Sequence, residues 1–96
     1  MVIEFLTFEV PLSERAEWLR LEEQHWSRYL ERQGGFVRKQ IWENVDDPTK
    51  VHAAIWWESM EQWQAIPEAE LAAVAEAMGA HEREATLTTF NLIREC

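Results

Sequence analysis

The sequence predicts an α+β domain in which a four-stranded antiparallel sheet carries two main helices on one face. Three observations predict it. Four segments are rich in β-branched and aromatic residues, two stretches of helical period separate the first pair and the last pair of them, and turn-forming residues mark the junctions.

Residues 2–10 are dense in strand-forming side chains and stop at Pro11, which has no N–H to give to a sheet ladder. Ser13 is a candidate N-cap for a helix reaching Gln33, along which Trp18, Leu19, Trp26, Tyr29 and Leu30 form an apolar stripe with charges between them. Gly34 and Gly35 end that helix, because glycine closes a last turn in the left-handed conformation at little steric cost. Residues 36–45 and 51–58 are two β-rich runs joined by a short polar turn from Asp46 to Lys50, and read as a hairpin.

Ser59 is placed to cap a short helix starting at Met60, with Gln62 as its capping-box partner. Pro67 fits the first turn of a second main helix, whose Leu71, Val74 and Met78 line one stripe before Gly79 stops it. Residues 85–94 return to β character. The order strand, helix, strand, strand, helix, strand is that of the ferredoxin-like βαββαβ fold, expected here as a single domain over residues 1–96 without linkers or repeats.

Two helices cover only one face of such a sheet, so the other face of a lone subunit should be polar. It is not. Side chains alternate along a strand, which puts Val2, Leu6, Phe8 and Val10 on one side and Ile3 and Phe5 on the other. The third strand sets Val51, Ala53, Ile55 and Trp57 against Ala54 and Trp56 in the same way. Each large apolar side chain left in water forfeits roughly 1.5 to 3 kcal/mol, so both faces call for cover. A second copy packed sheet to sheet, a homodimer through the open face, is the simplest expectation.

Charge narrows the partners. Nine basic residues against eighteen acidic ones give a formal net charge of −9, which repels phosphate backbones and anionic lipid, so neither nucleic acid nor membrane is an expected partner. No apolar run approaches the roughly 20 residues of a spanning helix. Glu4 and Glu9 interrupt the apolar N-terminal stretch and no basic cluster leads it, so an export signal is not expected and a cytoplasmic location is. The single cysteine, Cys96, rules out an internal disulfide.

No catalytic constellation is complete. The histidines, His25, His52 and His81, lie far apart; Glu22 and His25 form Glu-x-x-His once where a di-iron bundle needs it twice, and Ala85 stands where a zinc-protease helix would need its second histidine. No metal and no cofactor is expected. His52 shares a strand face with Trp56, and an imidazole beside an indole is suited to orient a ligand or carry a proton, which makes His52 the one catalytic candidate. The ordinary alternative is a hydrogen-bonded histidine at a sheet margin. Adjacent Trp56 and Trp57 must face opposite ways, one toward the helices and one toward the second sheet or a cavity.

Gly35-Phe36 opening the second strand, Lys39 and Trp42 along it, and Trp57-Glu58-Ser59 followed by Glu61, Gln62, Trp63, Ile66 and Pro67 make the chain resemble the dimeric α/β-barrel superfamily that includes antibiotic-biosynthesis monooxygenase-like domains. Within it the chain is similar to a family of small uncharacterised cyanobacterial proteins. The resemblance implies a homodimer whose sheets enclose a hydrophobic cavity, used in some relatives for cofactor-independent oxygenation or haem breakdown. The haem-degrading members rely on an asparagine in strand one and on a tryptophan and a histidine of the second helix. This chain has Thr7 in that strand and no histidine from Pro67 through Met78.

The expected function is thus a barrel that binds a small hydrophobic or aromatic molecule between its sheets, with Thr7, His52, Trp56 and Trp63 as pocket candidates. A cofactor-independent monooxygenase with His52 as proton carrier is the enzymatic alternative. A side-chain-filled structural or protein-interaction module is the third.

Overall fold

Strand β1 (Val2–Glu9) pairs antiparallel with β3 (Lys50–Trp57) on one side and β4 (Thr86–Asn91) on the other, and β2 (Phe36–Glu43) completes the order β2-β3-β1-β4 in the computed structural model, which describes residues 1–96. The two central strands are those whose sequences are apolar on both sides. Register fixes the faces: Val2 lies opposite Trp57, Leu6 opposite Ala53 and Phe8 opposite Val51, and this set meets the helices. Ile3, Phe5 and Thr7 lie opposite Trp56, Ala54 and His52 on the other face. Trp57 is therefore fully buried, edge-on to Phe36 at 5.9 Å, while its neighbour Trp56 stands on the open side.

The first helix is one winding with three pitches: α1 (Arg15–Glu22), a π turn (Glu23–Ser27) and α2 (Arg28–Leu30). It starts later than Ser13 predicts, because Leu12–Glu14 winds as a 3-10 turn in which the Glu14 N–H donates to the Pro11 carbonyl at 2.9 Å. No side chain caps it. It also ends before Gln33, whose side-chain amide donates instead to the Tyr29 carbonyl at 3.0 Å. Gly35 then turns the chain at φ 86°, and a Cβ there would sit 2.6 Å from the Gln62 side chain, so this glycine serves both conformation and clearance.

Helix α3 (Met60–Gln64) is capped as its sequence predicts, the Ser59 hydroxyl accepting the Gln62 N–H at 3.2 Å and donating to its side-chain oxygen. Helix α4 (Glu68–Met78) follows Pro67 and ends at Gly79, φ 59°. Strand β4 is shorter than residues 85–94 because its only neighbour, β1, begins at Val2 opposite Asn91; beyond that point Ile93 is 93% exposed.

The core under the helices has two centres, Val10, Trp18, Val51 and Met78 at one end and Leu30, Ile55, Trp57 and Ile66 at the other. Trp26 packs against both. It stands in the π turn, which therefore sits at the waist of the core.

Candidate active site

A cavity of about 340 Å³ opens at that waist, between the sheet and the helices of one subunit. Leu6, Phe8 and Ile55 supply its sheet side, Trp26 and Leu30 one wall, and Trp63, Ile66 and Leu71 the other. Pockets of this kind, mostly apolar with a few convergent polar groups, are where small molecules bind.

The polar groups are specific. Glu22, 4% exposed, is the one charged residue of the buried set, and Lys39 forms an ion pair with it inside the protein. The π turn makes this possible: its wider winding brings Ser27 against Glu22, five residues earlier, where the hydroxyl donates at 3.0 Å, and Lys39 Nζ donates to the same hydroxyl at 2.9 Å. Lys39 arrives from β2 only because a β-bulge between Phe36 and Arg38 shifts the register, setting Lys39 opposite Ile55 on the helix face. Without that extra residue the alternation would turn Lys39 outward. The same shift sends Arg38 to the open face, where its guanidinium lies 5.2 Å from the Trp56 ring centroid.

Glu4 forms the sheet-side floor. Its Oε1 accepts the Trp57 indole N–H at 3.1 Å, and burial pushes its carboxyl above the usual range, against the opposing pull of that bond and of the Lys39 charge. At the mouth Glu82 accepts the Trp26 indole N–H at 3.1 Å and is also raised by burial. Arg83 lines the same mouth, its terminal nitrogens donating to the Glu14 carboxylate at 3.0 Å and the Glu9 carbonyl at 3.2 Å and its buried Nε without a partner.

The open face is a different construction. Phe5 stacks on His52 with centroids 5.1 Å apart and meets Trp42 at 5.6 Å and Phe90 at 6.0 Å, and Trp42 meets Trp56 at 6.4 Å. Thr7 Oγ1 and His52 Nδ1 are hydrogen-bonded at 3.0 Å.

The sequence candidates therefore divide. Thr7, His52 and Trp56 share the open face, as alternation predicts, whereas Trp63 lines the cavity on the opposite side of the sheet. Thr7 in particular points away from the cavity, and the β1 residues that line it are Glu4, Leu6 and Phe8. Sequence reasoning missed Glu4, Glu82 and the Glu22–Lys39 pair. Glu4 was findable, since it is in phase with Val2, Leu6 and Phe8 and so had to point inward. Lys39 was not, because its direction depends on the bulge.

Neither a protein-family model nor a curated protein matches the sequence. Solved structures do. The chain is similar to SnoaB, a cofactor-independent oxygenase from Streptomyces nogalater, at 20% identity and a TM-score of 0.78 over 98% of this chain and 94% of that one. It is similar to a proposed antibiotic biosynthesis monooxygenase from Deinococcus radiodurans at 15% identity and a TM-score of 0.76, covering 100% and 96% of the two chains. MhuD, a haem degrader from Mycobacterium tuberculosis with two haems bound in its active site, matches at 26% identity and a TM-score of 0.72 over 100% and 99%. The chain shares the ferredoxin-like fold of these antibiotic biosynthesis monooxygenase-like structures.

Proposed function

We propose that the protein is a homodimeric α/β-barrel domain that binds a small hydrophobic or aromatic molecule. The ligand site we assign is the cavity between sheet and helices, not a chamber between two sheets. The observation that carries this reading is the cavity itself: about 340 Å³, walled by aliphatic and aromatic side chains and furnished with a few fixed polar groups. The open face supports the dimer, since Trp42 is 43% and Phe90 49% exposed within one continuous aromatic cluster.

Haem does not suit this site. The cavity lining contains no histidine, cysteine, methionine or tyrosine to ligate iron, and its carboxylates Glu4, Glu22, Glu82 and Glu84 oppose the charge of propionates. Cofactor-independent oxygenation is a second reading, favoured by one observation: Glu4 is a carboxylate in apolar surroundings with its affinity for a proton raised, as a general base requires. The structural likeness to SnoaB agrees with it.

Titration with naphthalene, followed through the emission of the cavity indoles Trp26 and Trp63, tests the binding reading. Saturable binding at one site per subunit is expected, with loss on filling the cavity by Leu71→Trp while the circular dichroism spectrum is kept. Undiminished binding to that variant moves the ligand elsewhere. Oxygen uptake with aromatic substrates, absent in Glu4→Gln, separates the oxygenase from the binding module.

A further inference from the structure

The charges around the cavity do not balance. Its lining carries the carboxylates Glu4, Glu22, Glu82 and Glu84 and the cations Lys39 and Arg83. Lys39 is taken by Glu22, and Arg83 pairs with Glu14, which lies outside the lining. Glu4 and Glu82 each accept a neutral indole N–H, from Trp57 and Trp26, and neither has a cationic partner within ion-pair distance. Three carboxylates thus surround an apolar chamber without a cation of their own, and three of its walls, Phe8, Trp26 and Trp63, are aromatic.

We propose that the cavity binds an organic cation, an aromatic or alkyl ammonium whose N–H donates to Glu4 while its apolar body lies among Phe8, Trp26 and Trp63. The inference rests on the cavity being the ligand site. A carboxylate held in apolar surroundings gains more from a charged donor than one in water does, because the pair shares a low local dielectric. Aromatic ring faces attract cations as well, and the effect grows when the cation is desolvated. Burial already raises Glu4 and Glu82 toward protonation, which is the response of carboxylates lacking a counter-charge, and an ammonium would supply it. The geometry of Glu4 suits this role: Trp57 holds Oε1, leaving the other carboxylate oxygen to a guest.

Three probes of one shape and different charge provide the test: 2-phenylethylammonium, 2-phenylethanol and phenylacetate, each titrated calorimetrically into the intact protein at low and high salt. The cation is expected to bind about tenfold tighter than the alcohol, a factor typical of a charge-assisted hydrogen bond, with the anion weakest. Glu4→Gln keeps an oxygen for the Trp57 indole but presents an amide donor to the cavity, so the cation should lose its tenfold advantage over the alcohol. Glu82→Gln, at the exposed mouth, should lower cation affinity by about threefold at low salt and by less at high salt. Equal binding of cation and alcohol, or a cation advantage that survives Glu4→Gln, overturns the charge assignment and leaves the ligand cavity standing. Failure of all three probes and of naphthalene removes the cavity reading and the charge assignment together.

Discussion

The two faces of this sheet are built from the same strands and solve opposite problems. The helix-covered face encloses charged groups, Glu22 and Lys39 each with less than a tenth of the side chain exposed and Glu4 beside them, and it encloses them around an opening. The open face carries Arg38 over Trp56 and otherwise shows Phe5, Trp42, Trp56 and Phe90 in one contiguous cluster, with its polar pair, Thr7 and His52, hydrogen-bonded to each other. Glu4 is enclosed beside a cavity with one carboxylate oxygen free, whereas the Thr7–His52 pair lies among aromatic side chains on an exposed face. That difference underlies the proposal that the helix-covered face holds a ligand and the aromatic face pairs with a second copy.

Trp56 and Trp57 put the contrast into one dipeptide. Trp57→Ala should cost about 5 kcal/mol, since it removes a fully buried indole and strands the Glu4 carboxylate, and urea denaturation would read this as a shift of midpoint at unchanged slope. Trp56→Ala should cost about 1 kcal/mol or less in a single subunit, but weaken self-association by roughly a hundredfold if it lies at the centre of a dimer interface. Sedimentation at several micromolar concentrations distinguishes the two effects. A stable lone subunit in the unaltered protein would break the comparison, because the aromatic face would then have no partner to explain it.

The buried ion pair gives the next largest effect. Lys39→Met leaves Glu22 charged and enclosed, with only the Ser27 hydroxyl for company, and should cost about 3 kcal/mol. The double variant Lys39→Met, Glu22→Leu should recover most of that loss, because two apolar side chains of similar size need no hydrogen bonds. If the double variant is as unstable as the single one, the pair matters through shape rather than charge.

Much of this architecture was legible in the sequence because it follows from local rules. Alternation separated Trp56 from Trp57 and grouped His52 with Trp56, the Ser59 cap and the Gly79 stop were visible as residue types, and an apolar second face was evident before any partner strand was known. The cavity was not legible, for two physical reasons. The π turn contains no residue that breaks an ordinary α turn, and the bulge that turns Lys39 inward inserts its extra residue in a run whose alternation gives no sign of it. Each displaces the chain by about one position, and together they decide which side chains meet. Strand one shows the same point from the other direction: comparison with haem-degrading relatives pointed to Thr7, on the open face, while the inward carboxylate was two residues from Leu6 and in phase with it.

Glu4 offers the smallest effect and the sharpest one. Its unfolded carboxyl titrates near 4.5 and its folded one higher, so between those values the folded protein holds a proton that the unfolded chain has released. The stability this contributes is complete below 4.5 and disappears as pH rises through the folded value. The whole protein will not display this simply, because Glu17 and Asp47 are shifted down and contribute with the opposite sign. Glu4→Gln isolates it, since glutamine keeps an acceptor for Trp57 and carries no titrating proton. The stability of the variant relative to the parent should therefore rise as the pH goes from acid to neutral, measured by urea midpoints at both ends. Parallel curves would mean that Glu4 is as well solvated as any surface carboxylate, and the distinction between a face that encloses an acceptor and an exposed aromatic face would lose its strongest support.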